Sequence, residues 1–214
     1  MKEKNLLEEN MADDISVIPI TDEQAKLGQE IVGALRGVGS FFKEALGSLP
    51  QDIIGYLGGD WLRIRRAENI AEMLNKTKKR LESWDIKDSE PASLTVAIPI
   101  LHSAADESRE EIQDLWARLL AAAMTPSRSR CLRQGFTEVI KKMDPLDALI
   151  LLEQGSEKST ELAQTLKQLN VTSDQFIISL ENLKELKICM SGGTDPTKYR
   201  LSPFGREFLR VLSD

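Results

Sequence analysis

Side chains that bind metals or serve as nucleophiles are scarce in this sequence: 214 residues hold one histidine and two cysteines. His102 has no second histidine to complete a zinc site. Cys131 and Cys189 lie far apart and form no CxxC, so neither a metal site nor a disulfide framework is expected. Phosphate loops are missing as well. The glycines in IIGYLGGD and SGGTDP fit neither GxxxxGK[ST] nor GxGxxG and read as breaks and turns. The longest uncharged run, Pro91 to Ala105, is 15 residues, whereas a membrane-spanning helix needs roughly 20. The opening MKEKNLLEENMADD is polar and acidic, unlike a secretory leader. A cytoplasmic protein is expected, with peripheral contact at the inner membrane as a further option.

What is present is ordinary for a globular chain, 41% apolar and 29% charged, enough to bury a core without staples. The net charge of −6 hides an alternation along the chain. Residues 1–30 sum to −5, 61–87 to +4, 88–125 to −5, 126–142 to +4 and 145–214 to −2. Neighbouring blocks of opposite sign can neutralise one another within the fold, so the basic blocks do not by themselves require nucleic acid.

Residues 1–20 lack a sustained period and read as a mobile acidic tail. Thr21 or Asp22 then caps an expected helix to about Leu46, in which Leu27, Ile31, Leu35, Val38, Phe42 and Leu46 recur at helical spacing. Interior glycines weaken that helix, each by up to about 1 kcal/mol relative to alanine. Gly33 and Gly37 have the spacing of a close-packing face, and Phe41 and Phe42 supply apolar surface. These four residues are the candidate contact with a membrane or a partner helix; simple packing is the plainer reading.

A second helix is expected over 61–82 behind Asp60, with Trp61, Ile64, Ala67, Ile70, Met73 or Leu74, Thr77 and Leu81 facing inward. Arg63, Arg65, Arg66, Lys78 and Lys79 are its candidate basic surface, against the simpler reading of a solvated face. An apolar helix over 92–105 should kink at Pro99. Ser108 is placed to cap the next helix, whose Ile112, Leu115, Trp116, Leu119, Leu120 and Ala123 face inward until Thr125-Pro126. A helix follows around 130–142.

The last seventy residues change pattern: helices at 145–154, 160–168 and 173–185, strands at 187–190 and 198–201 around a Ser191-Gly192-Gly193-Thr194 tip, and a helix at 204–212. That order suggests a winged-helix-like domain. The fold class expected is therefore mainly α, with a helical region over 21–143 and a winged-helix-like domain with a small β-hairpin over 144–214. Duplex DNA is a poor match for its third helix, where Asp174, Glu181 and Glu185 outnumber Lys184. His102, Ser103 and Asp106 invite a catalytic story, but only His102 and Asp106 share a helix face.

The stretch from Tyr56 to Leu152 resembles the Abi-alpha family of abortive infection proteins. The residues that carry this are YLGGDWLRIRRAENIAEMLNKTKKRLE, SLTVAIPILHSAADES, EEIQDLWARLLAAAM and FTEVIKKMDPLDALILL; the closing LSPFGREFLRVL is similar too. The resemblance implies phage resistance by shutdown or death of the infected cell, and it supplies no catalytic motif or cofactor. The expected function is a non-enzymatic defence factor working through protein or membrane contacts. A DNA-binding regulator is the alternative. A host or phage protein is the expected partner, a membrane surface or a second copy of the chain are further candidates, and nucleic acid is disfavoured.

Overall fold

The computed structural model describes residue 41, residue 45, and residues 60–154, 166–191 and 199–213. The expected acidic tail and most of the glycine-rich helix lie outside these residues. Phe41 and Ala45 are helical and buried, and the Ala45 carbonyl accepts a hydrogen bond from the Ala92 N–H at 2.9 Å.

The architecture is mainly α. Helix α1 spans Asp60–Ser83, α2 Leu94–Ala105, α3 Glu110–Met124, α4 Pro126–Ser129, α5 Gln134–Lys141, α6 Pro145–Gln154 and α7 Ser173–Glu185. A hairpin of β1 (Cys189–Ser191) and β2 (Tyr199–Leu201) follows, then α8 at Pro203–Leu212. The strands are antiparallel, with Cys189 opposite Leu201 and Ser191 opposite Tyr199. Of the expected helix at 160–168, residues 166–168 are described and helical. The hairpin tip beyond Ser191 lies outside the described residues.

Helix α3 is the axis of the fold. Its sequence is apolar over more than half its circumference, and all its residues from Ile112 to Met124 except Asp114 and Arg118 are buried. Burial on that scale requires neighbours on several sides, and α1, α2, α6 and α8 supply them. The inward stripe of α1 runs through Ala67, Ile70, Met73, Leu74, Thr77 and Leu81, all buried. Pro99 lies inside α2. Phe136 of α5 meets Phe204 and Phe208 of α8 at ring-centroid distances of 5.3 and 4.9 Å. Buried residues from Phe41 to Leu212 form one hydrophobic cluster.

Three helical segments end in the same way. Asp85, Asn170 and Lys187 adopt positive φ of 51°, 52° and 61°. In each case the following N–H (Ile86, Val171, Ile188) reaches back to the carbonyl of Leu81, Leu166 or Leu183 at 2.9–3.0 Å. This is the Schellman arrangement, which satisfies the orphan carbonyls and apposes two apolar side chains. It also explains why β1 begins at Cys189 and not at Lys187 as expected: Lys187 and Ile188 are occupied in closing α7.

Two other boundaries differ from the sequence reading. Helix α3 is preceded by Arg109 in the N-cap position, not by a Ser108 cap. The Arg109 N–H and guanidinium instead engage the Glu107 carboxylate at 2.8–3.0 Å. Helix α5 starts at Gln134, because the chain around residue 130 is still closing α4, with Cys131 N–H bonded to the Arg128 carbonyl at 2.9 Å. At α8 the local chemistry is complete: Ser202 Oγ accepts the Gly205 N–H at 2.8 Å, and Pro203 occupies the first turn where no N–H is needed.

Candidate functional site

Opposite charges on α1 and α3 face each other along the helix pair. Arg66 Nε lies 2.5 Å from Asp106, just beyond α2, Lys76 Nζ 3.5 Å from Glu110, and Arg80 Nη2 3.2 Å from Asp114. Asp114 also holds Arg118 at 2.6 Å. The +4 and −5 blocks of the sequence thus meet in three ion pairs. Of the candidate basic residues, Arg66 is spent in this ladder and Arg65 pairs with Glu68 at 3.2 Å. Lys78 and Lys79 are exposed, Lys79 beside an open groove of about 590 Å³ walled by Leu149 and Leu152. The side chain of Arg63 lies outside the described residues. Of the four described, Arg65 and Arg66 are thus engaged with carboxylates within the chain.

The candidate contact residues of the N-terminal helix are placed in one case only. Gly33, Gly37 and Phe42 lie outside the described residues, while Phe41 is 6% exposed within the core cluster. Contact of Phe41 with a membrane or partner would require its withdrawal from that core.

His102 is half-buried on α2. Burial holds its imidazole below the ordinary value, the Asp106 carboxylate opposes this and the Lys141 ammonium adds to it. Ser103 Oγ donates to the Pro99 carbonyl at 2.9 Å, and Asp106 engages Arg66, so these two each have a structural occupation. Among the described residues, no group of three or more His, Cys, Asp or Glu could hold a metal ion. Burial pushes the Cys189 thiol up to about 11, which keeps it protonated at neutral pH.

Helix α7 has two contrasting faces. Ser179, Leu180 and Leu183 point into the core. On the opposite side Asp174, Ile178, Glu181 and Glu185 fall within about 60° of arc at 100° per residue, and all four are exposed. Ile178 is 64% exposed, the highest figure among the described large apolar residues, followed by Leu169 at 54% in the turn before α7. The helix is firmly set. Thr172 and Gln175 form a reciprocal capping box, and the buried Asp147 of α6 accepts the Asn182 Nδ2–H at 2.6 Å. Burial raises the Asp147 carboxyl despite that bond and others from the Asp144 N–H and Ser179.

The acids of this stripe were legible in the sequence. The exposed Ile178 at its centre was not, because an isoleucine in an apolar run reads as core until the neighbouring helices are placed.

Helix α8 is held by two arginines from distant parts of the chain. Arg118 Nη1 donates to the Leu212 carbonyl at 2.9 Å. Arg128 Nη1 donates to Val211 and Ser213 carbonyls at 3.2 and 2.5 Å, and its guanidinium stacks 3.7 Å from the Trp84 ring centroid. Cations at a helix C-terminus meet its unsatisfied carbonyls and its dipole. Among the described residues, no helix is long and apolar enough to cross a membrane.

No curated protein and no solved structure matches the chain. The family model for abortive infection alpha matches residues 65–212, from the second turn of α1 to the last residue of α8. The match takes in the ion-pair ladder, the α3 axis, the α7 stripe and the arginine-held C-terminus as one unit. The chain belongs to the abortive infection alpha family, and with it to phage defence.

Proposed function

We propose that the chain protects against phage without catalysing a reaction, by docking a protein partner through the outward face of α7. The observation that carries this reading is the stripe of Asp174, Ile178, Glu181 and Glu185, an exposed isoleucine set among three acids on a helix fixed at both ends. An apolar anchor ringed by charge is the composition of a small recognition surface: the anchor supplies desolvated area and the rim supplies selectivity. Three carboxylates would repel a phosphate backbone and attract a basic surface, so the partner is a host or phage protein carrying basic residues. The helices around α3 then serve as the effector part, which the docked partner releases or restrains.

The test is phage protection in cells that make full-length Ile178→Arg or Glu181→Arg. Both positions are exposed, so melting temperatures should stay near that of the parent while protection falls by about tenfold or more. Parental protection by both variants would remove α7 as the docking face.

A further inference from the structure

On the side of the molecule formed by α2, α3 and α5, a partly enclosed cleft of about 310 Å³ opens. Its apolar lining comes from Val96, Pro99, Leu119 and Leu132, and Arg133 and Lys141 also line it. A second hollow of about 310 Å³ shares Ser93, Val96 and Leu132 with the first and adds Arg130. The three shared residues place the two hollows side by side, each of a size at the lower end of small-molecule sites.

Polar side chains line it too: Ser93, Thr95, Gln134, Thr137 and Glu138 in the first hollow, and Glu90 and Ser129 in the second. Pro99, which lines the hollow with Thr95, has no N–H to give the carbonyl of Thr95 one turn back. Arg130 and Arg133 are exposed. Lys141 is paired with Glu138 at 2.8 Å, Glu90 lines the second hollow and Arg133 lies within the field of Glu207; among the described residues neither Arg130 nor Arg133 is held in a salt bridge within 4 Å, so the two supply positive charge beside the hollows.

We propose that this cleft binds a small amphipathic anion, a ring or short chain with one acidic group. The apolar body covers Val96, Pro99, Leu119 and Leu132, and the acidic group meets Arg130 and Arg133. Such a ligand bridges α2, α3 and α5 and would tie their packing to its own concentration. This inference does not depend on the α7 stripe.

The experiment is titration of the full-length protein with 1-anilinonaphthalene-8-sulfonate, followed by competition with decanoate. Saturable one-to-one fluorescence enhancement, reversed by decanoate and accompanied by a rise in melting temperature with decanoate, is expected. Val96→Trp places a large ring in the wall common to both hollows and should weaken binding by about tenfold or more. Arg130→Glu with Arg133→Glu, both on the surface, should weaken it by about fivefold or more with the unliganded melting temperature unchanged. If Val96→Trp lowers the melting temperature, the arginine pair decides the matter. Non-saturating fluorescence, or equal affinity in the parent and the arginine variant, would overturn the proposal.

Discussion

Asp114 lies between two arginines, with one carboxylate oxygen 3.2 Å from Arg80 on α1 and the other 2.6 Å from Arg118 one turn along α3. The three side chains are 26%, 19% and 13% exposed, so the contact is partly shielded from water and weakly screened by salt. Asp114→Asn removes the charge that lets two guanidinium groups approach, and Arg118 is at the same time committed to the Leu212 carbonyl. The variant should lose about 2 kcal/mol in urea unfolding. Arg80→Met, which leaves Asp114 still paired with Arg118, should lose less.

Gly205 is required by a close approach and not by an unusual φ. A Cβ built there would stand 2.1 Å from the Ile188 carbonyl oxygen, a backbone atom that cannot move aside cheaply. Ile188 O also accepts the Ser202 N–H at 2.8 Å, and Ser202 Oγ donates to the Lys187 carbonyl. Gly205→Ala must therefore push α8 off the end of α7 or break this joint. A loss of about 3 kcal/mol or more in unfolding free energy is expected, and an unchanged denaturation midpoint would show that the joint is not rigid.

Where sequence and structure agree, a local cause is at work. The bounds of α7 and the start of α6 at Pro145 follow from caps and proline, which act within a few residues. The inward stripe of α1 follows from the helical period alone. The misplaced elements failed through competition between neighbours: Lys187 was assigned to a strand but closes a helix, and Ser108 was passed over because Arg109 and Glu107 already order that turn. The candidate residues fared less well. Arg66 reads as part of a basic surface until its pairing with Asp106, forty residues on, is seen. Phe41 reads as free apolar surface until the core that covers it is known. The cleft on α2 brings together segments around residues 93–99, 119 and 132–141, a juxtaposition that no periodicity encodes.

His102 offers a direct measure of the interior near α2, because the chain contains no other histidine to confuse the signal. Burial depresses its pKa below 6.5, so the folded state binds its proton at lower pH than the unfolded chain does. Between the two values the unfolded state carries the extra proton, and stability should fall as pH falls through that window, remaining flat above it. A titration of the imidazole resonances by NMR should find a midpoint below 6.5. Asp106→Asn should lower that midpoint further, since it removes the charge that raises it, and Lys141→Met should raise it. A midpoint above 6.5 in the parent would show that the Asp106 charge outweighs burial.

Arg128, like Arg118, reaches the C-terminus from a distant part of the chain. It stacks on Trp84 beyond the end of α1 and donates to the Val211 and Ser213 carbonyls at the end of α8. One side chain thus couples the end of α1 to the end of α8, with the ring contact desolvating the guanidinium and strengthening its bonds to the carbonyls. Lysine keeps the charge but lacks the flat face that stacks on Trp84, so it should not substitute. Arg128→Ala should destabilise the protein by about 2 kcal/mol, and Arg128→Lys by most of that amount. Hydrogen exchange localises the effect: amides in the last turn of α8 should lose protection first, while those at the centre of α3 change only with global stability. Equal loss across both helices would mean that α8 unfolds only with the whole core, and that Arg128 adds stability without acting as a local fastening.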